Sequence, residues 1–246
     1  MQNLFTLLLF AFCSLAAFAQ KDARESYRPT VPIVVDGDPS EWKTDWLLDQ
    51  DGKFLYNVGN DDSNLYFRVK ISDDLTQEKI ALFGLTLKLN LEGKKKGKFG
   101  LRYPVGKDAK QLKKDFEPLP QDAAGRAIAK RLLLDEVEVL ELIGLAKENI
   151  VSSRLGLMNG IEVLIVANED GTYVYEAKIP YKAFKIDKSK VPVLGVAFET
   201  GRPEPSKGAS PPPNPNQAGR TFSQGNFNQY NPGMSPTYMW VAVKLK

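Results

Sequence analysis

Apolar and polar residues alternate strictly along much of the chain, and a period of two predicts strands. In residues 64–71 (NLYFRVKI), Leu65, Phe67, Val69 and Ile71 fall on one face. Residues 53–59 (KFLYNVG) precede them, and the intervening Asn60-Asp61-Asp62-Ser63 turns the two into a hairpin. Residues 82–91 (LFGLTLKLNL) alternate again, with Leu85, Leu87, Leu89 and Leu91 on one face. A basic turn at 93–97 (GKKKG) then leads to a strand over 98–103. The clearest hairpin joins 161–167 to 172–179 across Asn168-Glu169-Asp170-Gly171, whose Asp-Gly supplies the positive-φ position. Residues 191–199 and 238–245 predict the last two strands. The β-branched run 32–35 (PIVV), stopped by the turn cluster 36–39 (DGDP), predicts an early one.

One stretch changes period. Over residues 123–134, Ala124, Ile128 and Leu132 recur at i, i+4 and i+8, which predicts a helix burying that stripe. Residues 136–143 (EVEVLELI) could extend it, but we read them as a strand. Residues 201–237 hold eight of the sixteen prolines, five Gly and five Asn, a composition that cannot bury a core and predicts a long loop. Because the segment after it is apolar and aromatic, the loop is an insertion before the last strand. With no internal repeat, the expectation is one domain spanning residues 20–246.

Residues 4–19 (LFTLLLFAFCSLAAFA) are apolar and end in Ala17-Phe18-Ala19, small residues placed as a signal peptidase requires. The run is short for a membrane span of about 20 apolar residues, and Phe12 before Cys13 does not suit lipid attachment. Cleavage after Ala19 implies export to the periplasm or the exterior, with no later segment able to cross a bilayer.

Composition then removes whole classes of chemistry. The 246 residues include no His, which excludes a Ser-His-Asp triad and His-ligated haem or zinc. The single Cys13 lies in the leader, so the exported chain has no thiol nucleophile, disulfide or Cys metal site. Lys and Arg number 33 against 30 Asp and Glu, too balanced to announce a nucleic-acid binder. Neither a phosphate-cradling Gly-rich loop with Lys-Ser/Thr nor a GxSxG elbow occurs, so no enzyme is expected. The one local charge excess is residues 92–115, nine Lys/Arg against three acids. It suits a solvated sheet edge, an acidic polysaccharide or a membrane surface.

Several short signatures occur in one order: residues 33–42 (IVVDGDPSEW), 60–67 (NDDSNLYF) running on to Ser72-Asp73, 175–180 (YEAKIP) and 194–198 (LGVAF). Together they resemble the family 9 carbohydrate-binding modules and their DOMON-like relatives, over about residues 30–246. The resemblance implies an all-β fold: a two-sheet antiparallel β-sandwich, immunoglobulin- or jelly-roll-like, here with one short inserted helix. It also implies a non-catalytic module that binds carbohydrate. Such modules are often attached to secreted enzymes, whereas here the module fills nearly the whole exported chain.

Sugar binding of this kind needs aromatic faces for the C–H side of a pyranose. Trp46, in the polar stretch KTDWLLDQD, Trp240, in the last strand, and Tyr230, in the amide-rich loop GNFNQYNPG, are the candidates. Trp42 reads instead as a structural plug at the end of the sandwich. Asp49, Asp51, Asp61 and Asp62 supply the oxygen ligands that Ca²⁺ prefers, although Asp in turns needs no metal. A second reading is a protein-interaction subunit of an envelope complex. It would use the Pro/Asn loop or the basic segment and weaken as salt rises. The third is a haem-binding DOMON-like electron-transfer domain, which without His would need a ligand pair such as Lys with Met158, Met234 or Met239.

Overall fold

The computed structural model describes residues 23–49, 53–106, 120–135, 137–144, 150–152, 156–157, 159–202 and 235–246. The leader with Cys13, Asp51, Met158, Met234, Tyr230 and nearly all of the 201–237 segment lie outside the described residues. Among the described residues, twelve strands make two sheets. One, of seven strands, runs β1(Arg24–Glu25)-β12(Tyr238–Lys244)-β11(Leu194–Thr200)-β5(Leu85–Asn90)-β6(Phe99–Arg102)-β7(Val139–Ile143)-β8(Ile150–Ser152). The other, of five, runs β2(Leu47–Asp49)-β3(Phe54–Asn60)-β4(Asn64–Ile71)-β10(Tyr173–Pro180)-β9(Glu162–Ala167). Every pair is antiparallel except β1 with β12, where Arg24 aligns with Val243 in parallel register. The protein is a β-sandwich.

Alternation sends one face of each sheet inward. Phe54, Leu65, Phe67, Val69, Ile71, Tyr175 and Ile179 of the small sheet meet Leu85, Leu87, Leu89, Leu101, Val196 and Phe198 of the large one. The Phe198 ring stands edge-on to Phe67 at 6.4 Å and to Tyr175 at 5.7 Å, the arrangement aromatic quadrupoles favour. The hairpin turns form as expected. The Asp61 carboxylate accepts from the backbone N–H of Ser63 and Asn64, each at 2.7 Å, and Gly171 adopts φ +78°.

Three local expectations are corrected. Residues 32–35 join no sheet, because the chain there crosses over the outer face of the small sheet instead of pairing at its edge. The alternation beginning at Leu82 is a strand only from Leu85, since a helix, α1(Asp74–Phe83), precedes it. Asp73 caps that helix by accepting from Thr76 N–H at 3.0 Å, and Gly84 ends it at φ +86°. A side chain at Gly84 would also stand 2.4 Å from the Pro104 carbonyl oxygen. Among the described residues there are thus two α-helices where one was expected. The second, α2(Ala123–Asp135), forms where its period placed it but turns the other way. Leu134 and Lys130 are buried, while Ile128 and Leu132 are 63% and 57% exposed. Lys130 holds this orientation by an ion pair with Asp74 and a 3.0 Å hydrogen bond to Gln77 Oε1, so polar partners on α1 override the apolar stripe.

Candidate functional site

The outward faces of the two sheets carry the same residue types and treat them oppositely. On the small sheet, cross-strand register lines up Asn57, Arg68 and Glu176 in one outward row. Residues 33–46 lie over this row as a strap. The Arg68 guanidinium donates to Asn57 Oδ1 at 2.8 Å, Thr44 O at 2.7 Å and Pro39 O at 3.3 Å. It lies 4.9 Å from the Trp42 ring centroid and 4.0 Å from that of Trp46, so both indoles stack on one buried cation. Asn57 donates to Asp45 O, and Gly37, at φ +87°, donates its N–H to Glu176 Oε2 at 3.0 Å. A Cβ at Gly37 would come within 2.8 Å of Val166, so the strap needs glycine there.

Burial pushes the Glu176 carboxyl up to about 7, with the negative charges of Asp36 and Glu41 adding to the effect and backbone N–H donors at Gly37 and Asp36 opposing it. Burial likewise lowers Arg68 to about 10, against the pull of Glu176. Trp42 is not an end plug: it packs with Ile33, Tyr66 and Tyr27 in a separate apolar cluster under the strap. One face of Trp46 is spent on Arg68, and the indole is half-buried.

On the large sheet the outward face is open. Tyr238 and Trp240 alternate with the core residues Met239 and Val241 and so stand side by side on β12. Trp240 aligns with Ala197 and then Lys88, and Tyr238 with Glu199, Thr86, Arg102 and Glu141 across successive strands. Lys88 pairs with Glu199; Arg102 pairs with Glu141 at 3.2 Å and donates to Thr86 Oγ1 at 3.1 Å. The basic turn folds back over this face. Buried Asn90 fixes it by accepting from Glu92 N–H at 2.8 Å and donating to Lys96 O at 2.6 Å, and a Cβ at Gly195 would meet Lys94 O at 2.5 Å. The turn then accepts from both aromatic tips, Trp240 Nε1 to Lys94 O at 3.2 Å and Tyr238 OH to Lys95 O at 3.3 Å. Tyr238 is 37% exposed and Trp240 half-buried, leaving aromatic surface at the centre of a polar field.

Trp46 and Trp240 therefore lie on opposite faces of the sandwich and cannot stack on one short oligosaccharide together. Tyr238, Lys88, Glu199 and Arg102 were not singled out from sequence. The signal was there for Tyr238, two residues before Trp240 in a period-two strand. The carboxylate candidates are engaged: Asp61 in its turn and in a 2.6 Å bond from Tyr66 OH, Asp62 in ion pairs with Arg28 at 3.0 Å and Lys188 at 3.6 Å. Asp49 lies in β2. Among the described residues no group of three His, Cys, Asp or Glu is placed to hold a metal ion. Met239 is buried in the core, and no described helix is long and apolar enough to cross a membrane. A wide groove of about 1080 Å³ at one end of the small sheet, lined by Asp62, Asn64, Lys178 and Tyr181, has its tyrosine buried and offers no stacking face from it.

No protein-family model matches the chain, and no curated protein does. Among solved structures the chain is similar to a carbohydrate binding module family 9 from Caldicellulosiruptor kristjanssonii in complex with glucose, at 12% identity and a TM-score of 0.37, over 92% of this chain and 96% of that one. It is also similar to a carbohydrate binding module family 9 from the same organism in complex with cellotriose, at 10% identity and a TM-score of 0.36, over 91% and 94%.

Proposed function

We propose that the protein is an exported, non-catalytic carbohydrate-binding protein, with its ligand face on the outer side of the large sheet. The observation that carries this reading is the Tyr238–Trp240 pair, fixed at both polar tips and surrounded by Lys88, Glu199, Thr86 and Arg102. A pyranose presents a C–H face and a rim of hydroxyls. Aromatic surface takes the first, and charged groups that both donate and accept take the second. Ordered tips reduce the entropy lost on binding, because the rings are already placed. Tyr230 is kept as a further contact candidate, brought by the segment before β12. Ca²⁺ has no part in this reading.

The test is titration of the purified protein with a panel of soluble neutral and acidic polysaccharides, followed by tryptophan fluorescence and calorimetry. A saturable signal is expected, weakened at least about tenfold in Trp240→Ala, roughly the cost of losing one stacking or hydrogen-bonding anchor. Trp240→Phe should retain part of it. Absence of binding across the panel, or binding unchanged in Trp240→Ala, would overturn the reading. The exposed Ile128 and Leu132 favour a second reading, an envelope-protein partner docked on α2. Cross-linking in the native envelope would place partner peptides against that helix, and their absence would count against it.

A further inference from the structure

We infer that the ligand of the Tyr238–Trp240 face is an anionic glycan, its carboxylates taken up at the Trp240 end; this rests on the carbohydrate-binding reading above. The observation is how charge is disposed once the basic turn has folded over the sheet. Six cations belong to the face and its turn, namely Lys88, Lys94, Lys95, Lys96, Lys98 and Arg102, and four of them are matched. Lys88 pairs with Glu199 and Arg102 with Glu141, while Lys94 and Lys98 share the single carboxylate of Glu92. Glu92 is held down to about 2 by those two ammonium groups. Lys95 and Lys96 have no carboxylate partner among the described residues and are exposed.

The surplus is not spread evenly. Lys95 Nζ stands over the Trp240 ring, 5.4 Å from its centroid, so an ammonium with no carboxylate partner among the described residues lies against the stacking residue itself. At the other end the carboxylates are balanced, Glu199 by Lys88 and Glu141 by Arg102. A stacked sugar would thus meet surplus positive charge at Trp240 and balanced charge at Tyr238. A neutral sugar gains nothing from that asymmetry. A uronate gains an ion pair with Lys95 or Lys96 beside the ring that holds it, without displacing any existing pair. The positions are also fixed by backbone: Asn90 and Gly195 set the turn, and the turn's own carbonyls hold both rings. The cations and the aromatics therefore form one unit.

The experiment uses matched ligands differing only in charge: polygalacturonate against its methyl ester, and glucuronoxylan against its carboxyl-reduced form. In at least one pair the acidic form should bind about tenfold or more tightly at low salt. The preference should collapse to within about twofold at 0.5 M salt, where the Debye length falls to a few ångströms. It should also be lost in Lys95→Glu/Lys96→Glu, read as the ratio of acidic-form to uncharged-form affinity within that variant. Absence of an acidic preference in both pairs, or a preference surviving in the double variant, would overturn the inference. Binding to vesicles of anionic phospholipid but to neither acidic glycan would overturn it in favour of a membrane surface. The two proposals fail separately. Loss of charge preference with binding still abolished in Trp240→Ala removes only the anionic ligand. Binding that depends on Lys95 and Lys96 but not on Trp240 removes the stacking site.

Discussion

The outer faces of the two sheets form a natural experiment in how a β-sandwich spends its tryptophans and charges. Both carry indoles beside cations and carboxylates. On the small sheet the chain itself is the occupant: the 33–46 strap supplies the carbonyls that Arg68 needs and the N–H that Glu176 accepts. On the large sheet, among the described residues, a short turn leans in; it bonds the aromatic tips and lays Lys95 over Trp240, and it leaves Lys95 and Lys96 without carboxylate partners. An indole over a cation is thus no mark of a ligand site in itself. What distinguishes the faces is whether the chain has already used the ring faces and the charges.

The largest expected effect comes from breaking the covered face. Arg68→Met removes a cation that bonds three separate acceptors and takes away the positive charge aligned with Glu176 across β4 and β10. Removing one member of such a network costs roughly 3–5 kcal/mol, which urea unfolding at neutral pH would measure. Glycan affinity of the folded fraction should be unchanged. A loss below about 1 kcal/mol would mean that exposed-pair energetics apply and that the strap is held by its apolar contacts alone.

The contrast also explains what was legible in the sequence. Hairpins with Asp- and Gly-bearing turns were readable because register and turn chemistry are local, as in 53–71 and 161–179. A β-rich fold followed from them, and the two-sheet sandwich from the family resemblance. The strap was misread because Ile33-Val34-Val35 satisfies strand propensity while its partners are side chains from three distant strands. α1 was hidden because the Leu85–Leu89 alternation runs visually into Leu82, although Asp73 and Gly84 mark both of its ends. α2 was found but turned, since nothing local tells that Lys130 has Asp74 and Gln77 waiting. For the site, alternation put Trp240 on the face opposite Met239 and Val241 and left open whether that face was core or surface; the β-sheet packing turns it outward. Lys95 beside it was not readable, because that contact depends on the turn folding back over Gly195.

A middle-sized effect comes from pH. Glu176 has a folded pKa near 7, above the ordinary carboxylate value of 4.5. The folded state therefore holds the proton longer than the unfolded chain. This group's contribution is most favourable below about pH 4.5 and is lost as pH rises toward 7, after which it is flat. With no histidine in the chain, no imidazole adds to the slope in that window. The expected loss is on the order of 2 kcal/mol between pH 4.5 and 8. Glu176→Gln keeps an acceptor for Gly37 N–H and should flatten that slope in urea unfolding series at the two pH values. An equal slope in the variant would show that the carboxyl is ionised under the strap throughout, compensated by Arg68.

The smallest effect is the sharpest test of the comparison, because it concerns a residue that sequence alone nominates for the ligand. Trp46 is half-buried with one ring face against the Arg68 guanidinium at 4.0 Å. Its loss removes one cation–π contact and some apolar cover, together about 1–2 kcal/mol of stability. Trp42 still stacks on the same cation, so the strap should stay in place. Glycan affinity in Trp46→Ala should lie within about twofold of the parent, against the tenfold or larger loss in Trp240→Ala. The reverse pattern, with Trp46 essential and Trp240 dispensable, would move the site to the strap face. The strap would then have to be something the ligand displaces, and binding would weaken in any variant that tightens Gly37 or Arg68 against it. Equal losses in both would require a ligand reaching around the edge where β1 and β2 lie, which a short oligosaccharide cannot span and a polymer can. Chain-length dependence of binding separates those two cases, since a single-face site saturates with a few sugar units and an edge-spanning one does not.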